Sequence, residues 1–426
     1  MDGRPGNENG YARGYTRVLG ANAISNLGDG MLLAAAPLLA LELTDDAFLV
    51  AGVSVAATLP WLLVGLLSGV VVDRMDRRLL RALVDSLRAL ALAVFALAVA
   101  LDVVELWMLF AVVFVVGIGE TIADTAAHAM LPMVVAPERL RVANSQIQAS
   151  TLISDRLVGP PLGGVAFVAA ASLPFWIDAA SFAIAGALVL SLRGRFRAVA
   201  PDVDIAPTPD RGRADGLRRE LTAGLTALFA DPILGAMARV VAVWNALDAM
   251  MTAVLVVLAG ERLGIEGGGY GVLLGALAVG GLIGSATAPA MLRWLGDGGA
   301  LLFVIGASVV TAVTLALTTT PWVAGAALAL AGWLGVTWNI TGAALRQELV
   351  PPQLLGRVTS AYLLFALGAL PVGAVLGGLA ARVDIRLPYA IAAVGSLAIY
   401  VWALPRLSNR QVARARRRAT PERYGF

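Results

Sequence analysis

Apolar residues gather into twelve long runs separated by short polar breaks, and the breaks carry most of the charge. A bilayer core of about 30 Å takes roughly 20 helical residues, so each run is long enough to cross it. The pattern predicts spans over 17–43, 48–72, 79–101, 106–130, 143–170 and 173–192. After a polar stretch, six more follow over 233–259, 270–292, 300–319, 322–345, 358–382 and 387–407. An all-α membrane protein with twelve transmembrane helices, split six and six, is the expected fold class. The polar stretch before residue 17 has no apolar region with a small-residue cleavage site, so no signal peptide is expected there.

Charge then sets the expected orientation. All 32 basic residues are Arg, since the chain contains no Lys. With both termini inside, 26 of the 32 lie in inner loops and tails and only Arg262, Arg382 and Arg386 lie outside. Arg88, Arg156 and Arg239 fall within spans. The positive-inside rule therefore predicts cytoplasmic termini in a cell membrane. The expected organisation is a tail over 1–16, a six-helix half over 17–192, a linker over 193–232, a second half over 233–407 and a basic tail over 408–426. The linker begins Pro- and Asp-rich, and Leu217, Leu221, Leu225 and Leu228 then fall at helical spacing, as in an interfacial helix.

Composition narrows the function classes. Of 426 residues, 59% are apolar and 14% charged, and the mean hydropathy is +0.80, too apolar to cover a water-facing surface. The absence of Cys excludes disulfides, thiolate nucleophiles and iron–sulfur ligation, and the lone His128 leaves too few nitrogens for an ordinary zinc site. Without Lys there is no Walker lysine, so ATP hydrolysis through a P-loop is excluded. A net charge of +3 is too small to point to nucleic acid.

The two halves repeat each other. Asn26-Leu-Gly-Asp29-Gly-Met31 in span 1 matches Asn245-Ala-Leu-Asp248-Ala-Met250 in span 7 as N-x-x-D-x-M. GETIADT in span 4, with Asp124, matches GVTWNIT in span 10, with Asn339, and the loops that follow match as well. Gly159-Pro160-Pro161-Leu-Gly163-Gly164 in span 5 matches Gly373-Ala-Val-Leu-Gly377-Gly378 in span 11. Four matches in the same order argue for duplication.

With these motifs the chain resembles a major facilitator superfamily transporter over essentially its whole length. It is most similar to the twelve-span drug:proton antiporters that include macrolide-efflux and enterobactin-export relatives. The loop Gly69-Val-Val-Val-Asp73-Arg74-Met-Asp76-Arg77-Arg78 resembles the superfamily signature G-x-x-x-D-R-x-G-R-R, with Asp76 where many members have Gly. GPPLGG resembles the antiporter motif G-x-x-x-G-P-x-x-G-G, with Asp155 at its first Gly, and Val113 stands where many drug antiporters carry an Arg in span 4. The resemblance implies two pseudo-symmetric halves, with spans 1 and 7 lining a central cavity. It also implies a cytoplasmic latch in which Asp73 seats near Gly356 and Arg357, at the start of span 11. The small residues of spans 5 and 11 are expected to serve helix packing.

Residue chemistry gives the site expectations. Asp29 lies 12 residues past Arg17, about 18 Å along a helix rising about 1.5 Å per residue, and so near mid-membrane. Asp248 lies at a comparable depth in span 7. A carboxylate there is costly and should face the bundle interior or a water-filled cavity. Each either binds a proton or cationic substrate or is a structural group bonded to Asn26 or Asn245. Glu120, Asp124 and His128 recur every four residues on one face of span 4, as either a proton relay or a charge network locking spans 4 and 5, with Arg156 as counter-charge. Asp85, Arg88 and Asp178 lie nearer helix ends, where capping or snorkelling accounts for them. Trp61, Trp244, Trp333 and Trp338 suit either a large apolar substrate or a membrane-interface belt.

The expected function is secondary active transport by alternating access, with protons driving export of drug-like, antibiotic or siderophore-type molecules. No enzyme activity, cofactor or metal is expected. The expected partners are the lipid bilayer and a large, partly apolar small molecule, with the chain acting as a monomer. An uptake carrier or lysophospholipid flippase of the same fold, and a non-transporting receptor or scaffold, are the alternatives.

Overall fold

The computed structural model describes residues 8–192, 196, 222, 224–265 and 267–424. Most of the linker, including Leu217 and Leu221, lies outside the described residues, as do the side chains of Gly69 and Asp73. Helices account for nearly all of the rest. Ten helices are long and apolar enough to cross a membrane, and one of them, Gly268–Leu317, holds two spans joined across Gly296 at φ 71°. Only Gly adopts such a φ without strain, so Gly296 turns the chain between spans 8 and 9. With the shorter apolar helix Leu387–Ala403, twelve spans result. Span 7, expected to be continuous, ends at Thr252, and a separate helix Leu255–Leu263 follows.

Local chemistry marks the helix starts. Asp46 caps span 2 at Phe48 N, Asp231 caps span 7 at Ile233 N and Leu234 N, and Asp76 caps span 3 at Arg78 N and Leu79 N. The Asp that departs from the superfamily signature is thus the N-cap of span 3. Arg78 Nη1 also donates to the Leu192 carbonyl at 2.7 Å and Arg77 Nη1 to the Ala129 carbonyl at 3.1 Å, so the basic pair ties the foot of span 3 to spans 6 and 4.

The chain forms two compact units, residues 1–200 with 259–278, and residues 201–258 with 279–426. In the first, span 5 lies on span 1 through glycine. A Cβ at Gly159 would strike Gly30 and one at Gly163 would strike the Met31 backbone. The second unit repeats this, with Gly373 against Ala246 and Gly377 against Met250. Gly164 instead meets Gly267 and Gly268 within the first unit, and Gly378 is buried. Pro160 and Pro161, which lack donors, open the helix Gly159–Ala169, and the seven residues Leu152–Val158 before it are wound as a π-helix.

Span 3 shows what membrane packing does to a helix. Leu79, Leu83, Leu87, Leu90, Val94 and Leu97 are exposed, whereas Arg81, Asp85 and Arg88 are buried. The helix turns its apolar face to lipid and its charges to its neighbours.

Candidate functional site

Glycines on both sides of Asp29 allow neighbouring chains to close on it. Gly28 leaves room for the Asp178 carboxylate and the Ser181 hydroxyl of span 6, and Gly30 for the Asp155 carbonyl of span 5. Asp29 itself accepts a hydrogen bond from Arg88 Nη2 at 2.5 Å, in an ion pair whose side chains are 12% and 2% exposed. Gly119 of span 4 makes space for the Arg88 side chain, and the guanidinium stacks over Phe182 at 3.7 Å. One guanidinium of span 3 is therefore held by a carboxylate, a ring and a glycine from three other spans.

Other charges surround this pair. Glu120, Asp85 and Asp178 lie within electrostatic reach of Arg88, and Asp124 and Asp155 within reach of Asp29. Arg81 Nε bonds Asp85 Oδ2 at 3.3 Å, and Arg81 Nη1 donates to the Ala123 carbonyl at 3.2 Å. Asp178 Oδ1 accepts from Ser181 Oγ at 3.1 Å, while Asp178 Oδ2 has no hydrogen-bond partner. Arg156 folds back onto Asp155 at 2.8 Å and is more than half exposed. Six carboxylates (Asp29, Asp85, Glu120, Asp124, Asp155, Asp178) thus share three guanidiniums (Arg81, Arg88, Arg156).

The structure corrects the expectation for Asp85, Arg88 and Asp178, each no more than 2% exposed. They neither cap nor snorkel, because they point across the bundle. The signal was available in the sequence: Arg81, Asp85 and Arg88 fall at i, i+4 and i+7, on one helix face. The guanidinium near Glu120 is Arg88 of span 3, and Val113 on span 4 is buried. Glu120 and Asp124 are half-buried, whereas His128 on the same stripe is exposed. Asn26 donates to the Asn22 carbonyl at 2.7 Å, and Asn22 to Thr151 at 3.0 Å, so Asn26 belongs to the joint between spans 1 and 5.

In the second unit Asp248 is half-buried, and no ion pair joins it among the described residues. Asn245 Nδ2 donates to the Ala366 carbonyl of span 11 at 2.8 Å. Asn339 is exposed. Trp338 is fully buried and donates to the Tyr362 hydroxyl at 3.0 Å, so it is a core group and presents no surface to a substrate. Trp244 meets it edge-on at 5.5 Å and Arg346 lies over Tyr362 at 4.0 Å. Trp333 bonds Thr287 at 2.7 Å. Arg74 and Arg357, which the resemblance assigns to a gate, are exposed.

A family model described as transmembrane secretion effector matches residues 13–422. The multidrug efflux pump Tap of Mycolicibacterium fortuitum is 28% identical over 376 residues, covering 85% of this chain and 87% of Tap. The enterobactin exporter EntS of Salmonella typhimurium is 26% identical over 400 residues, covering 92% and 90%. Among solved structures, a bacterial homologue of the iron transporter ferroportin in its inward-facing state superposes with a TM-score of 0.73 over 93% of this chain and 99% of that one, at 18% identity.

Proposed function

The chain belongs to the transmembrane secretion effectors of the major facilitator superfamily, a family of multi-span membrane transporters and not of enzymes, and on that premise we propose that it is a proton-driven exporter of small molecules. The observation that carries the reading is the ion pair Asp29–Arg88 at the centre of an acid-rich cluster inside the first unit. Three carboxylates in excess of guanidiniums cannot all remain charged in a low-dielectric bundle, so the cluster takes up protons or a cation. A proton on Asp29 weakens its hold on Arg88, which then turns to Glu120, Asp85 or Asp178. That exchange couples protonation of span 1 to the packing of spans 3, 4 and 6, and alternating access converts it into export. The proton gradient supplies the energy without a cofactor.

The substrate is a partly apolar, drug-like, antibiotic or siderophore-type molecule, a reading supported by the names of Tap and EntS. The Arg distribution supports cytoplasmic termini in a cell membrane, and the protein acts as a monomer.

Cells lacking their own pumps, expressing the chain, should accumulate less of a partly apolar antibiotic, and a protonophore should restore accumulation. Asp29→Asn should insert normally and lose export. Full export by Asp29→Asn, or export indifferent to the protonophore, overturns the coupling.

A further inference from the structure

At the end of span 12, within the second unit, lies a cavity of about 260 Å³ whose walls carry the exposed Arg239, Arg406, Arg414 and Arg418 and, among the described residues, no acidic side chain. Its floor is Ile233 and Ala236, both buried. Two of the arginines are braced by aromatic rings. Arg406 lies over Trp402 at 4.3 Å and donates to the Trp402 carbonyl at 2.7 Å, and Arg239 lies over Phe229 at 5.0 Å. The other two stand four residues apart on the C-terminal helix Asn409–Tyr424, and therefore on one face. Arg416, two residues from each, points the opposite way and is bonded to Asp297 at 2.5 Å and Glu348 at 2.8 Å. Asp297 and Glu348 are thus engaged on the far side of the helix, Asp231 beside Pro232 accepts from the Ile233 and Leu234 amides, and among the described residues no ion pair reaches the four arginines of the cavity.

We propose that this cavity binds a phosphate group. Water screens part of the repulsion among these four exposed guanidiniums, an anion seated among them relieves what remains, and their planar forks match phosphate oxygens. The phosphate can belong to an anionic lipid headgroup or be free in solution. The approach favours a lipid: Val394, Leu397, Val401 and Leu404 form an exposed apolar stripe on span 12 that ends beside Pro405 at the cavity rim, a path on which an acyl chain can lie.

The test uses the purified full-length protein and the single variants Arg414→Gln, Arg418→Gln and Arg293→Gln, the last removing an exposed Arg outside the cavity. Native mass spectrometry counts bound phosphatidylglycerol against phosphatidylcholine, and thermal melting reads inorganic phosphate against chloride at equal ionic strength. The wild type should retain phosphatidylglycerol selectively. Each cavity variant should weaken that retention about 5-fold, the contribution of one Arg near an anionic surface, while Arg293→Gln leaves it unchanged. Phosphate-specific stabilisation lost in the cavity variants, without lipid selectivity, would identify free phosphate as the ligand. If both cavity variants behave like Arg293→Gln in both assays, the proposal is wrong.

Discussion

The two units use one backbone seam and fill it with different chemistry. In each, a small-residue face of span 5 or 11 lies directly on the N-x-x-D-x-M turn of span 1 or 7. In the first unit that Asp is bound to a buried Arg from span 3. In the second the Asp has no ionic partner among the described residues, and a Trp–Trp–Tyr cluster lies in the same unit. The second unit's ion pairs among the described residues lie outward, where Arg416 and Glu348 are both more than 40% exposed. Duplication preserved what fixes helix separation and left free what fixes charge. On the proposed reading, the ionic half is the one that responds to protons, while the other offers an aromatic core at the same place.

The sharpest way to break this contrast is Arg88→Ala. It takes from Asp29, Glu120 and Asp178 the guanidinium within their reach and leaves Asp85 only Arg81, and removing one partner of a buried pair costs about 3 to 5 kcal/mol. A large fall in the melting temperature of purified protein is expected, and the double variant Asp29→Asn/Arg88→Ala should recover part of it. A melt like that of wild type would mean that the pair contributes nothing to the fold.

Next in size are the paired substitutions Gly159→Ala and Gly373→Ala. Both force a Cβ into backbone, at a cost of about 1 to 3 kcal/mol each, and the two losses should match if the seams are equivalent. A loss in one unit alone would sink the equivalence. Tyr362→Phe removes only the buried hydroxyl that accepts from Trp338 and should cost about 1 to 2 kcal/mol in melting experiments, with export unchanged. The smallest effect belongs to Arg416→Gln. Its exposure limits the loss to below about 1 kcal/mol, and high salt should erase it.

Much of this was legible in the sequence, and the physics explains which parts. A bilayer demands a long apolar run for every crossing, so the span count could be read directly, including the pair hidden in Gly268–Leu317. The glycine seams were legible because Gly159, Gly163, Gly373 and Gly377 recur in register and close helix contact needs small residues. The ionic centre was only half legible. Depth along the helix singled out Asp29, but the same coordinate assigned Arg88 and Asp178 to helix ends, whereas their facing decides their role. Trp338 was misread for a related reason: composition cannot tell a Trp on a cavity wall from one whose N–H is already matched by Tyr362. Asp76 reads as a departure from a signature until its two amide partners appear.

The π-wound stretch Leu152–Val158 carries a mechanical consequence. A π-helix holds one residue more than an α-helix of the same length, and Pro160 and Pro161 deny the carbonyls behind them ordinary amide donors. Above it, Gly159 and Gly163 clamp the span to Gly30 and Met31. Below it, Thr151 is bonded to Asn22. The middle is held as well, because the Asp155 backbone lies against Gly30, so the extra residue of the π-turn sits where spans 1 and 5 touch. Rewinding the π-turn into α-helix turns the lower part of the span by about 100° relative to the upper. The winding of span 5 therefore sets the direction in which the Asp155 carboxylate is aimed.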